Sequence, residues 1–342
     1  MMLREETRRV QFTGRSSFIL NLPKAWVIQN GISQGDVMSI ATLPDGSLVV
    51  TPREATKANE KAEALVRVAP DAAADALVRR LVSLYIAGYA TIRVVTEGGA
   101  TLLQREMVKD LIRTRFVGTE IVSESAEGMT LQVLLSLPEL SVKNAIRRMA
   151  VITTYMIRDA FQAAETLDGQ LANSVIKSDN EVDRFSLYVI RHLVSAVSSY
   201  SVLRELGLGS PAHCLGYRVV VKSVERIADH AVRMAETSLT LRGRFDGELL
   251  SELRSLRDLA VKAFEDSMAA LFKEDYDQAD RIFETVEKCR AVEAMILTRA
   301  SEGDRADLAS LRLMVEDLRR CAEYASDIAE VVLNMTVKGV QR

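Results

Sequence analysis

The period of hydrophobic and polar positions changes twice along the chain, and these changes divide it into three regions. Between Thr7 and Pro52, apolar residues alternate with polar ones in short runs separated by Gly, Pro and Asp turns, a pattern typical of β-strands. Residues 55–138 mix the two-residue period of strands with the 3.6-residue period of helices. From about 140 to 337 the pattern is helical throughout.

The middle region predicts a small α+β domain. Helices are predicted at Asp71–Ala87 and Leu102–Arg115, and strands at Thr91–Thr96, Thr119–Ser123 and Met129–Leu135. Because strands and helices alternate, we expect some parallel pairing in the sheet. No residue pattern in this region indicates a particular chemistry.

The last region predicts six helices joined by short links, most of which contain glycine. They lie near residues 141–167, 170–206, 211–242, 247–273, 275–301 and 304–336. Six such helices fit two three-helix bundles in series. The third and sixth helices have similar motifs, which indicates an internal duplication. We therefore expect domains at residues 1–54, 55–138, 139–245 and 246–342.

Composition indicates a folded, helix-rich protein, since hydrophobic residues make up 48% of the chain and charged residues 27%. The net charge of −3 is unevenly distributed. Five cations precede residue 25 against Glu5 and Glu6; they are Arg4, Arg8, Arg9, Arg15 and Lys24. This basic front is consistent with a polyanionic partner, or with a solvated strand edge.

The sequence also predicts a cytoplasmic protein that does not insert into a membrane. The first residues are charged, unlike a signal peptide, and no apolar run approaches the roughly 18–20 residues that span a bilayer. Cys214, Cys289 and Cys321 are widely spaced in helical patterns. We expect them to be small buried hydrophobic residues in a reducing compartment.

Carboxylates at i, i+4 spacing are the most informative residues of the helical region. Asp179 and Asp183 lie within the core-facing stripe of the second predicted helix, where unpaired carboxylates would be costly. Glu225 and Asp229 share one margin of the stripe on the third helix. If the two helices are adjacent, four carboxylates converge and could hold a divalent or ferric ion. An Arg or Lys salt-bridge network would satisfy them equally well.

The N-terminal region resembles the AbrB/SpoVT/MazE family. The resemblance is carried by the Gly14-x-Ser16 turn, Leu22-Pro23-Lys24, Gly31-Ile32 and Gly35-Asp36. It implies a swapped-hairpin β-barrel that forms only as a dimer and often binds DNA.

The helical region resembles the PhoU family. The run Val224-Glu225-Arg226-Ile227-Ala228-Asp229-His230-Ala231 is similar to that family's third-helix motif, and the run from Asp179 to Phe185 to its second-helix motif. The resemblance implies a metal cluster on Asp179, Asp183, Glu225 and Asp229. In the second repeat Arg319 stands in place of Glu225 and Glu323 in place of Asp229, and the aspartate pair has an uncertain counterpart among Glu287 and Glu293. A second metal site is therefore not expected.

The order of the three regions resembles archaeal phosphate-uptake regulators that join an AbrB-like domain to PhoU. This implies a homodimeric transcription regulator, not an enzyme, whose cations bind a pseudo-palindromic operator. A second hypothesis is an adaptor that does not bind DNA and acts on a phosphate transporter's ATPase subunit or a signalling kinase. A metal-dependent hydrolase is the third, but no His, Ser or Cys is placed beside Asp183 or Glu225 to serve as base or nucleophile.

Overall fold

The computed structural model describes residues 6–14, 17–43, 46–52, 63–69, 71–96, 98–134, 140–245, 247–301 and 307–337. Contacts within the chain divide it into two compact units, Met1–Glu60 and Lys61–Arg342.

The first unit consists of two β-hairpins and one short helix. Strands β1 (Gln11–Thr13) and β2 (Ser17–Ile19) form an antiparallel pair. Helix α1 (Lys24–Gln29) follows, and β3 (Met38–Thr42) pairs antiparallel with β4 (Leu48–Pro52). The two hairpins form separate two-stranded sheets within the described residues. This is the small β-rich region that the sequence predicted.

The second unit begins with the predicted α+β domain. Its elements are β5 (Ala64–Val68), α2 (Ala74–Ile86), β6 (Thr91–Thr96), α3 (Leu102–Arg115), β7 (Thr119–Ser125) and β8 (Gly128–Val133). The sheet order is β5-β6-β8-β7, with β5 parallel to β6 and the other pairs antiparallel. The predicted parallel pairing is thus present. Strand β5 was not predicted from the sequence.

The rest of the second unit is helical. It contains α4 (Val142–Thr166), α5 (Gly169–Ser198), α6 (Tyr200–Glu205), α7 (Pro211–Ser238), α8 (Gly247–Lys273), α9 (Tyr276–Asp280), α10 (Ile282–Ser301) and α11 (Leu308–Thr336). Helices α4, α5 and α7 pack on one another, as do α8, α10 and α11. Helices α7 and α11 join the two three-helix bundles. The predicted pair of bundles is therefore confirmed.

Two of the six predicted helices are interrupted. The segment predicted at 170–206 breaks at Ser199, whose extended backbone lets its hydroxyl oxygen accept a hydrogen bond from the N–H of Val202 and start α6. The segment predicted at 275–301 is divided at Arg281 into α9 and α10. The hydrophobic period continues through both positions and therefore does not reveal either break.

The two bundles share one hydrophobic core, whereas the α+β domain has its own. Leu187 of α5 packs against the core of the α+β domain, and Val117, just beyond α3, belongs to the core of the bundles. Helices α2 and α3 both pack on α5. The α+β domain is thus seated on the helix that carries Asp179 and Asp183.

The three cysteines are buried and free, as expected for small core residues. No helix in the part of the chain that the structure describes combines the length and apolarity needed to cross a bilayer.

Candidate functional site

The cations of the first unit are solvent-exposed where the structure describes them. Arg8 pairs with Glu6, two residues away, and Arg9 is exposed. Lys24 is the exposed first residue of α1. Arg4 and Arg15 lie outside the described residues. The exposed cations therefore remain available to a polyanion, although one of them already has a carboxylate partner.

The first unit has no buried side chain among its described residues. Ten large apolar side chains are exposed; they are Val10, Phe12, Phe18, Ile19, Leu20, Leu22, Ile28, Val37, Ile40 and Leu48. The rings of Phe12 and Phe18 meet edge to face across the β1–β2 hairpin with centroids 5.1 Å apart. A folded domain normally hides such side chains from water, so the described residues of this unit form no core of their own.

The four predicted carboxylates of the first bundle lie on neighbouring helices and interact electrostatically. Asp179 and Asp183 lie on α5, and Glu225 and Asp229 on the adjacent helix α7. Burial, together with the negative charges of the other three carboxylates, raises the pKa of Asp179 to about 7. Burial also raises the pKa values of Asp183 and Asp229, and Glu225 adds to both shifts. The helices therefore concentrate negative charge at partly buried positions, with Asp229 at their exposed edge.

Two cations already pair with these carboxylates. Arg115, the last residue of α3, places Nη1 2.6 Å from Oδ2 of Asp183. Lys222, one turn before Glu225 on α7, pairs with that glutamate. Atom Oδ1 of Asp179 is buried and accepts no hydrogen bond from any described residue. The sequence analysis gave a salt-bridge network as the alternative to a metal ion, and part of that network is present. Arg115 was not predicted to belong to it.

The carboxylates have the oxygen donors that a divalent or ferric ion requires, but their arrangement does not fit one. Within the described ranges, no three His, Cys, Asp or Glu side chains lie close enough together to hold a single metal ion. Arg115 and Lys222 also occupy two of the four carboxylates. The metal ion at Asp179, Asp183, Glu225 and Asp229 therefore stays a prediction.

The second bundle neutralises its corresponding carboxylates with an arginine of its own. Arg319, in the position of Glu225, lies 3.0 Å from Glu293 and also pairs with Glu323. Although burial opposes the shift, the hydrogen bonds from Arg319 and Arg320 lower the pKa of Glu323. Glu287 pairs instead with Arg290 on its own helix. Of the two uncertain counterparts, Glu293 is therefore the one that reaches this site.

A further polar contact joins the two bundles and was missed in the sequence. Nδ1 of His230 on α7 donates to Oδ1 of Asp317 on α11 at 2.7 Å, and Arg233 lies 3.5 Å from the same oxygen. Asp317 is completely buried. Helical periodicity shows which face of α7 His230 occupies but not which distant helix covers it, so the sequence alone did not indicate this contact.

These features define the class of protein: a duplicated three-helix bundle, preceded by an α+β domain and a small β-rich unit whose described side chains are all at least partly exposed. The PhoU domain family model matches residues 146–238 and 253–332, just over half of the chain, and the chain belongs to the PhoU family. A second family model, described as antidote-toxin recognition MazE, bacterial antitoxin, matches residues 11–58.

Curated relatives match just over half of the chain. A phosphate-specific transport system accessory protein PhoU homolog 1 from Thermotoga maritima is 25% identical over 200 residues, which cover 56% of this chain and 84% of the relative. A homolog with the corresponding name from Xylella fastidiosa is 24% identical over 199 residues, 55% of this chain and 80% of the relative.

The crystal structure of PhoU from Pseudomonas aeruginosa is similar with a TM-score of 0.50 and 20% identity. The similarity covers 57% of this chain and 94% of that one. At this identity it supports the fold of the bundles alone.

Proposed function

We propose that this protein is a DNA-binding regulator of phosphate uptake in which the β-rich unit binds DNA and the PhoU bundles receive the regulatory signal. The proposal joins two similarities: a MazE-like first unit, and bundles related to accessory proteins of phosphate-specific transport. A regulatory role without catalysis accords with the names of those relatives.

The observation that carries the DNA-binding proposal is that the described part of the first unit has exposed cations and no buried side chain. Ten exposed apolar side chains call for a second copy, and two copies would double the cations contributed by Arg8, Arg9 and Lys24. Arginine donates two parallel hydrogen bonds to phosphate or to guanine edges. A two-fold dimer would bind a pseudo-palindromic operator.

Electrophoretic mobility shift with DNA from upstream of the protein's own gene tests this function. Arg8→Ala/Arg9→Ala should weaken binding and lower the slope of log K against log salt by about 2 to 4, since each lost phosphate contact removes about 0.9. The matched control is Arg79→Ala/Arg80→Ala, an adjacent exposed arginine pair on α2. Equal losses from both pairs, or no binding of the wild type at low salt, would count against DNA binding.

The alternative is an adaptor whose β-rich unit only dimerises and whose bundles contact a transporter ATPase subunit or a signalling kinase. The ion pair between Arg8 and Glu6 favours it, because part of the basic front is already neutralised. An intact dimer that does not bind DNA at low salt would support this second function.

A further inference from the structure

The outer face of α4 carries an apolar ridge between two grooves. Val151 and Tyr155 lie one turn apart in the middle of this helix and are 56% and 59% exposed. On one side a groove of about 380 Å³ lies between α4 and α8, and on the other side a groove of about 390 Å³ lies between α4 and α5. Tyr155 lines both grooves. A ridge flanked by grooves is the surface against which another helix packs, ridge into groove.

The two ends of this ridge carry opposite charges that are poorly matched within the chain. The guanidinium of Arg148 lies over the Phe185 ring and 3.8 Å from Glu181, and both side chains of that ion pair are more than half exposed. Asp159 lines the groove beside α5. Burial raises the pKa of Asp159, and no described cation opposes that shift. The ridge therefore has an exposed guanidinium at one end and a partly buried carboxylate without a described cation at the other.

The positions of these charges fit a two-fold partner. Arg148 and Asp159 are eleven residues apart, close to three full turns, so they lie on the same side of α4. When two copies of one helix pack antiparallel about a two-fold axis, the same side of each helix meets. With that axis between Ile152 and Tyr155, Arg148 of each copy faces Asp159 of the other. The ridge of each copy then enters a groove of the other.

We propose that α4 is a second self-association surface, on which two copies pair antiparallel through Val151 and Tyr155 and through reciprocal Arg148–Asp159 ion pairs. The occupant is a second copy of this chain, because α4 itself supplies both members of the ion pair and both the ridge and the walls of the grooves. This surface is separate from the exposed apolar side chains of the first unit.

The pairing of α4 depends on the dimer proposed for the first unit, and to that extent it rests on the proposed function. A contact of three helical turns is smaller than the roughly 1,200 Å² that a stable dimer buries. It therefore forms when another contact already holds two copies at a high effective concentration. Two copies joined by the first unit meet this requirement.

Cross-linking of the full chain with a short bis-maleimide tests the pairing, since the three native cysteines are buried. Val151→Cys introduces a thiol close to the proposed axis. The matched control is Val197→Cys on α5, which replaces a valine that is 55% exposed. We expect Val151→Cys to cross-link at least about tenfold faster than Val197→Cys, because only the first thiol meets its copy at close range. Equal rates in the two variants would overturn the proposal.

Charge reversal tests the ion pairs. In the Val151→Cys background, Arg148→Asp or Asp159→Arg places like charges opposite each other and should slow cross-linking about tenfold. The double reversal restores opposite charges across the axis and should return the rate toward that of Val151→Cys alone. Arg312→Asp, at an exposed position of α11, is the control and should leave the rate unchanged. A double reversal that cross-links no faster than either single reversal would show that the two residues do not pair between copies.

Sedimentation equilibrium under reducing conditions separates this inference from the proposed function. A dimeric Val151→Cys protein that does not cross-link would overturn the pairing of α4 and leave the dimer of the first unit intact. A monomeric wild type would remove the dimer of the first unit, and the pairing of α4 with it. Neither measurement involves DNA.

Discussion

Asp317 joins the two bundles through a completely buried carboxylate that accepts from His230 and lies near Arg233. Removing one partner of such a pair leaves an uncompensated charge and typically costs 3–5 kcal/mol, whereas replacing both partners with apolar residues is often neutral. We expect His230→Leu to lower the free energy of unfolding by about 3 kcal/mol. The double variant His230→Leu/Asp317→Leu should lose less, although it carries more substitutions.

Urea unfolding followed by circular dichroism measures both values. Arg226→Leu, on the same helix but at an exposed position, is the control and should change stability by less than about 1 kcal/mol. A double variant whose loss equals or exceeds that of His230→Leu would show that the charge of Asp317 is not what makes the single substitution costly.

His192 gives the bundles a defined dependence on pH. Burial lowers the pKa of His192 to about 4, although the hydrogen bond to the Tyr188 carbonyl opposes the shift. The unfolded chain titrates near pH 6.5, so it binds a proton between pH 6.5 and 4 that the folded chain does not bind. Stability should therefore fall as the pH falls through this window. The drop in Tm from pH 6.5 to 4.5 should be smaller in His192→Gln.

The control for this slope is His213→Gln, since His213 is only partly buried at the start of α7. Its drop in Tm should match that of the wild type. A wild-type slope that survives in His192→Gln would assign the acid sensitivity to other groups.

At the scale of single residues, helical spacing selected the four carboxylates but did not reveal the cations that pair with them. Asp179, Asp183, Glu225 and Asp229 were found because i, i+4 spacing places residues on one helical face. Arg115 was missed because it reaches Asp183 from another domain, and no helical period relates residues of separate elements. The partners of a buried charge follow from packing, which a single sequence does not reveal.

Among the elements, the accuracy of the predictions did not follow length: helix α3 and strand β6 have the predicted bounds, whereas the long helix predicted at 170–206 is interrupted and strand β5 was missed. Helix α3 begins and ends as predicted, and its start is fixed by a capping box between Thr101 and Gln104. Strand β5 was missed, although its residues alternate between buried and exposed. It is only five residues long, and its packing face is defined by pairing with β6. Helical propensity accumulates over many residues, whereas a short edge strand depends on its neighbour.

Strand β8 contains a position where a side chain cannot fit. A Cβ on Gly128 would lie 2.1 Å from the carbonyl oxygen of Val94 on β6, so backbone would have to move. We expect Gly128→Ala to destabilise the α+β domain by about 3 kcal/mol and to accelerate amide exchange in β6 and β8. Gly243→Ala, with nothing within 4 Å of its Cβ, is the control and should change little. Wild-type protection of β6 in Gly128→Ala would contradict this packing argument.

At the scale of the whole molecule, the two units differ in how many of their described side chains a single chain buries. The second unit encloses the cores of the α+β domain and the bundles within itself. The first unit buries none of its described side chains, and its two hairpins do not pair with each other there. The resemblance to swapped-hairpin domains predicts that a second copy completes this unit, whereas hydrophobic alternation alone predicts an ordinary small sheet.

The exposed apolar side chains of the first unit predict that two copies of the protein associate through that unit. Phe18 is 74% exposed and contacts Phe12, so a second copy that covers this hairpin would bury both rings. Phe18→Asp should convert a wild-type dimer of about twice 37.8 kDa into a monomer, measured by sedimentation equilibrium. The control is Leu102→Asp, because Leu102 is equally exposed at 72% but begins α3 in the second unit. A dimer that persists in Phe18→Asp would place the interface elsewhere, and a doubled set of N-terminal arginines would then lose its physical basis.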